Sequence, residues 1–154
     1  MYCYNKYEIM KETAEMFLGR KVFRIRALKD FWLVKAGDIG GRIEGEHNLM
    51  QIDLCWVMED AVVFDDAKIF ADALIKGNAV IGGRASVFGG AVVEGNAQVF
   101  GTAWVYERSI VRGNAIISEY ARVYGDALVE GDSRVLGFSK VYGNTELKGE
   151  TELK

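Results

Sequence analysis

The chain has no proline, a single histidine and only two cysteines in 154 residues. One histidine, His47, leaves one position for the commonest general base. Two cysteines, Cys3 and Cys55, do not build the disulfide framework of a small secreted domain, so reduced thiols are expected. No apolar run approaches the ~20 residues that cross a bilayer, and Met1–Tyr4 does not open a signal peptide, which together predict a cytoplasmic protein. No Pro-rich segment and no Gly-rich phosphate loop is present. A net charge of -3 and a pI near 5.3 give no global attraction to nucleic acid or to an anionic membrane, and neither is expected as a partner. The length suits one domain of moderate size with a core of its own.

Glycine, by contrast, is plentiful at 18 residues, and its placement is periodic. From Cys55 to Lys154 the chain repeats a six-residue unit of the form small, x, aliphatic, x, Gly or acid, polar. The aliphatic slot runs from Val57 to Leu153 in steps of six through seventeen successive units, with a small residue two positions before each member, from Cys55 to Thr151. Two positions after it, Gly occupies eleven of sixteen slots, from Gly77 to Gly149, where a tight corner exploits its freedom at positive φ.

A period of two inside a period of six means a short strand followed by a turn, with the small and aliphatic residues sharing an inward face. Three such sides make an 18-residue triangular coil. Residues 55–154 then form about five and a half coils at the usual inter-strand spacing of ~4.8 Å. A meander of hairpins would need a turn signal about every 8–12 residues instead. The predicted fold class is therefore all-β, a single-stranded parallel β-helix.

Residues 1–54 lack this register. Alternation at Tyr7–Met10 and Lys21–Ala27 predicts strands, Gly19 and the stretch Gly37 to Gly41 mark turns, and Glu46 to Gln51 suits a short helical turn. The expected unit is a small β-rich cap over the first coil, whose open edge would otherwise pair with other chains.

The segments Arg24–Phe31, Val34–Glu44, Asn48-Leu49 and Cys55-Trp56 resemble the amino-terminal block of a bacterial and phage hexapeptide-repeat family. In that family the block leads directly into repeats of the Ala-x-Val-x-Gly-Asn kind, as at Asn78-Ala79-Val80-Ile81, and the resemblance covers essentially the whole chain. It implies a left-handed coil and a trimer. Family members are usually labelled transferases, and many proteins of the fold are acyltransferases. No catalytic residues are carried over from the family, because fold similarity alone is a weak warrant for activity.

Outward residues 18 apart stack into columns. Phe70, Phe88, Tyr106, Tyr124 and Tyr142 form an aromatic ladder, flanked by Lys68, Ser86, Trp104, Arg122 and Lys140. The ladder is expected to hold the coils in register, and the interleaved basic and aromatic side chains also suit a ligand or partner. A second column, Lys76, Glu94, Arg112, Glu130 and Lys148, alternates in sign and reads as a solvated salt-bridge ladder. A third, Trp56, Leu74, Val92, Ile110 and Leu128, is outward by parity yet apolar, so either the cap or a second subunit must cover it. Phe64, Val80, Phe100, Ile116 and Leu136 add apolar residues on the remaining face, and a homo-oligomer is expected. Charges on the last coil, from Glu146 to Lys154, oppose end-to-end growth.

The expected function is a non-catalytic oligomeric scaffold or binding module that uses the face from Lys68 to Tyr142 and no cofactor. The alternative is an acyl-CoA-dependent acyltransferase whose cleft lies between subunits, with His47 as base oriented by Glu44 or Glu46. CoA enters only under that alternative. No metal site is expected, since one histidine per subunit supplies three ligands only on an exact three-fold axis.

Overall fold

A computed structural model describes residues 5–154 and shows an all-β parallel solenoid of about six turns, of the left-handed β-helix kind, closed at one end by antiparallel strands. Cys3 and the rest of Met1–Tyr4 lie outside the described residues. No helix among the described residues is long and apolar enough to cross a membrane.

Seventeen two-residue strands follow the repeat, from β5 (Trp56–Val57) to β21 (Glu152–Leu153). They fall on three sheets in which each strand pairs with the one a coil later, as in Val62↔Val80, Ser86↔Trp104 and Val92↔Ile110. The first face carries Val62 to Glu152, the second Lys68 to Val141, and the third Trp56 to Leu147. Coil-to-coil N–H to C=O bonds run the length of the stack, for example from Trp104 N to Ala121 O at 3.0 Å and from Tyr106 N to Val123 O at 2.9 Å. Inside, the Ala and Val/Ile slots are fully buried from Ala61 to Ala121, which forms one continuous core.

Every corner residue from Glu59 to Gly149 in steps of six has a left-handed φ between 55° and 70°. Glycine dominates for a second reason besides φ: a Cβ on Gly113 would lie 2.8 Å from the backbone N of Gly131 one coil on. At two of the four corners where an acid replaces it, the side chain helps to hold the stack. Asp65 accepts the Gly83 N–H at 3.2 Å, and Glu107 accepts the Gly125 N–H at 3.0 Å.

The cap is built on β3 (Arg20–Ala27). It pairs antiparallel with β1 (Tyr7–Ile9), β2 (Glu15–Phe17) and β4 (Ile39–Ile43). Gly19 and Gly37 lie at turns, both with positive φ. Gly40 and Gly41, read from the sequence as a turn, instead lie inside β4. A Cβ there would meet Trp56 and Val57 within 3 Å, so this strand must be bare to approach the first coil.

Parallel pairing also begins earlier than the repeat suggests. β4 pairs with β6 (Val62–Val63) through Ile43↔Val63, and Leu49 bridges Ile69. Ile43 and Leu49 are six apart but stand 20 residues, not 18, before their partners. Between Leu49 and Val57 the chain is two residues too long for the register. Asn48, in the short 3-10 turn Glu46–Asn48, secures this irregular stretch. Its buried amide accepts the N–H groups of Glu44 and Gly45 at 3.0 Å each and donates to Asp65 O at 3.1 Å and Ala67 O at 2.8 Å.

Lys6 closes the core from below. Its buried ammonium donates to Cys55 O at 2.6 Å and Asp53 O at 3.2 Å and lies 3.4 Å from Cys55 Sγ. Burial lowers the Lys6 pKa and raises that of the Cys55 thiol, and each group's attraction to the other opposes its shift.

Candidate functional site: the aromatic and basic face

On the second face the aromatic ladder is continuous. Successive ring centroids from Phe70 to Tyr142 are 4.7, 4.9, 5.0 and 5.4 Å apart, with interplanar angles of 4°, 3°, 8° and 15°. Each inner ring therefore has its π faces occupied by its neighbours and turns only an edge outward. The ladder pins the register, as expected from the 18-residue spacing. Burial pushes the Tyr106 hydroxyl pKa up, the neighbouring Tyr124 adds to this, and Arg122 works against it.

Beside the ladder, the Arg122 guanidinium lies over the Trp104 ring at 4.4 Å, and Trp104 meets Phe88 and Tyr106 edge-on at 6.0 and 6.3 Å. Lys68, Trp104, Arg122 and Lys140 are exposed, whereas Ser86 is half-buried. The candidate residues thus share one face, but Lys68 lies three coils from Arg122 and belongs to no common pocket with it.

Sequence reading missed a second stack. Tyr120 and Phe138 occupy the corner between the first and second faces with centroids 5.0 Å apart and planes 6° apart. They are 57 % and 78 % exposed. With Arg122 and Lys140 they line an open groove of about 440 Å³. Their 18-residue spacing was available in the sequence, but columns at the corners carry no parity signal.

The charges of the second and third faces differ. On the third face Lys76 pairs with Glu94 at 3.6 Å, Arg112 with Glu130 at 2.7 Å, and Lys148 with Glu146 and Glu130 at 3.5 and 3.9 Å. This matches the expected salt-bridge ladder. On the second face, no carboxylate among the described residues lies within 4.0 Å of the charged groups of Lys68, Arg122 or Lys140.

The apolar third column divides in two. Trp56 is buried by the chain's own cap, with Tyr7 and Phe31 edge-on to it at 6.2 and 5.2 Å, and Leu74 is buried in the same cluster. Neither is therefore free to meet a second subunit, which leaves Val92, Ile110 and Leu128, all half-buried. On the first face Phe64 is likewise covered by Phe17 of the cap at 5.5 Å, with Phe100 packed at its edge.

His47 is exposed at the base of the solenoid, its Nε2 held 2.7 Å from Asp65 O. A carbonyl accepts only, so Nε2 donates in this contact. Glu44 does not orient the ring through a hydrogen bond. Its carboxylate is taken by Arg20 at 2.6 Å and by the Asp65 N–H at 2.8 Å, and the Arg20 bond holds it below the ordinary carboxylate pKa. Arg20 and the first coil thus claim Glu44, one of the two carboxylates expected to orient His47.

No protein-family model and no curated protein matches the chain.

Proposed function

We propose that this chain is a non-catalytic, oligomeric solenoid that binds an anionic, ring-bearing ligand through its second face. One observation carries the reading. An uninterrupted repeat presents exposed rings and carboxylate-free cations in one open groove, Tyr120, Arg122, Phe138 and Lys140. Cations left without a carboxylate partner beside a π surface suit an anion with a ring, since charge and stacking then act on one molecule. Val92, Ile110 and Leu128 are the surface through which copies associate, in a trimer if the resemblance to the hexapeptide-repeat family holds. A cytoplasmic location goes with this reading.

The family resemblance also keeps the acyltransferase alternative in view. It is favoured by the exposure of His47, whose ring is held in place through Nε2 by Asp65 O. Native mass spectrometry of protein purified under non-denaturing conditions, paired with an acyl-CoA turnover assay, separates the two. The expected result is an oligomer without bound acyl-CoA and without turnover. Turnover that disappears in His47→Ala overturns the binding-module reading, and a monomer removes the assembly from it.

A further inference from the structure

We propose that the ligand of the Tyr120–Phe138 groove is an acidic oligosaccharide, whose carboxylate or sulfate groups meet Arg122 and Lys140 while a sugar ring lies against the corner stack. The inference rests on the binding reading above and names the ligand class.

Three observations favour this class over other ring-bearing anions. First, the groove is open along the corner and not enclosed. Enclosed pockets bury most of a small ligand, whereas an open corner groove suits a chain that is only partly covered. Second, its cations are few and local. Arg122 and Lys140 sit on successive coils, and the next cation of that column is Lys68. A phosphodiester strand needs a continuous basic track, which this column does not supply. Two neighbouring cations suit a short chain that presents one or two acidic groups to this groove. Third, the groove corner carries a hydroxyl acceptor. From Gly77 to Gly149 only Glu107 and Glu119 replace glycine at the left-handed corners, with φ of 59° and 61°. Glu107 repays its backbone strain by accepting the Gly125 N–H. Glu119 directly precedes Tyr120, is exposed, and carries its Oε2 over the Gly137 corner beside Phe138, at the edge of the groove, where it can accept a sugar hydroxyl.

The test is titration of the full chain with a galacturonate trimer, with its neutral galactose counterpart, with inorganic sulfate and with oligo-dT, all at one ionic strength. Binding is followed by NMR shifts and by Trp fluorescence, which responds when Arg122 leaves the Trp104 ring. The expected result is binding of the galacturonate trimer and at least ten-fold weaker binding of the neutral sugar. Phe138→Ala and Lys140→Gln, both at exposed positions, should each weaken binding about ten-fold or more with an unchanged far-UV spectrum. Equal binding of the neutral sugar, or tighter binding of oligo-dT, overturns the acidic-saccharide assignment and leaves the binding reading standing. A response to none of the four probes at these residues removes both.

Discussion

In the cap, Lys6, Tyr7 and Asn48 satisfy Cys55 O, Leu49 O and Ala67 O by single side-chain contacts, whereas from Cys55 onward every coil satisfies the next with the same N–H to C=O pattern. The two ends of the chain therefore differ in how damage spreads. A stack of near-identical units has a stability that sums unit by unit and interface by interface, so a fault inside it stays local. The cap is made of single contacts, and losing it exposes the edge of the first coil, from which the stack can open.

The strongest way to break this contrast is at the joint. Trp56→Ala removes the ring that meets Tyr7, Phe31 and the bare backbone of Gly40. It is expected to destabilise by about 3–5 kcal/mol. In hydrogen exchange the cap and first coil should lose protection before coils near Val111. Uniform loss along the chain would mean that cap and solenoid fold as one unit.

A smaller effect is expected within the solenoid. Gly113→Ala places a Cβ 2.8 Å from Gly131 N at a left-handed φ of 70°. It should cost about 1–2 kcal/mol, with exchange faster only in the flanking coils. A cost above that of Trp56→Ala, measured by urea unfolding of both variants, would reverse the comparison.

Alkaline pH acts most strongly where cap and first coil meet, and more weakly at Tyr106 of the ladder, whose pKa burial also raises. The Tyr7 hydroxyl donates to Leu49 O at 2.5 Å, and burial, reinforced by the charges of Glu46 and Cys55, raises its pKa well above the ordinary 10.0. A raised folded-state pKa means that the stabilisation is complete below pH 10.0 and falls as the pH rises past it. The Cys55 thiol, raised from 9.0 by burial, acts in the same direction. Lys6, lowered from 10.5 by burial, acts in the opposite direction, since its stability contribution rises with pH up to that value. Above pH 10.5 only the losses remain. Cap amides should then lose exchange protection before those of the coils near Val111, and simultaneous loss would contradict the separation.

The smallest effect belongs to the third face. Lys76→Gln removes a half-exposed pair with Glu94 and should change stability by at most about 1 kcal/mol. A larger shift in the urea midpoint would show that the charge ladder contributes more to folding than its exposure allows.

The solenoid was legible from Cys55 onward because each unit carries two coupled signals, the small slot and the aliphatic slot, and the core follows both. The aromatic and charge columns followed from the 18-residue period. The start of parallel pairing was hidden, because Ile43 and Leu49 keep the six-residue step but are followed by two extra residues. Gly40 and Gly41 looked like turn residues, since sequence cannot distinguish glycine needed for φ from glycine needed for close approach to Trp56. Lys6 and Asn48 serve contacts made only once, so no repeat announces them. Tyr120 and Phe138 escaped because the columns were read along strands, and corners have neither an inward nor an outward slot.

The six-residue step and the 18-residue coil place different demands on insertions and deletions. A loss of six residues keeps small and aliphatic side chains inside, so a core can still form. It also moves every later residue onto the next face, and such a cut between Tyr120 and Phe138 would part Phe138 and Lys140 from Tyr120 and Arg122 while leaving the fold intact. Only changes of eighteen restore the alignment, and they lengthen or shorten the particle by about 5 Å. Folding thus tolerates length changes in sixes, whereas a site spread over successive coils tolerates them only in eighteens.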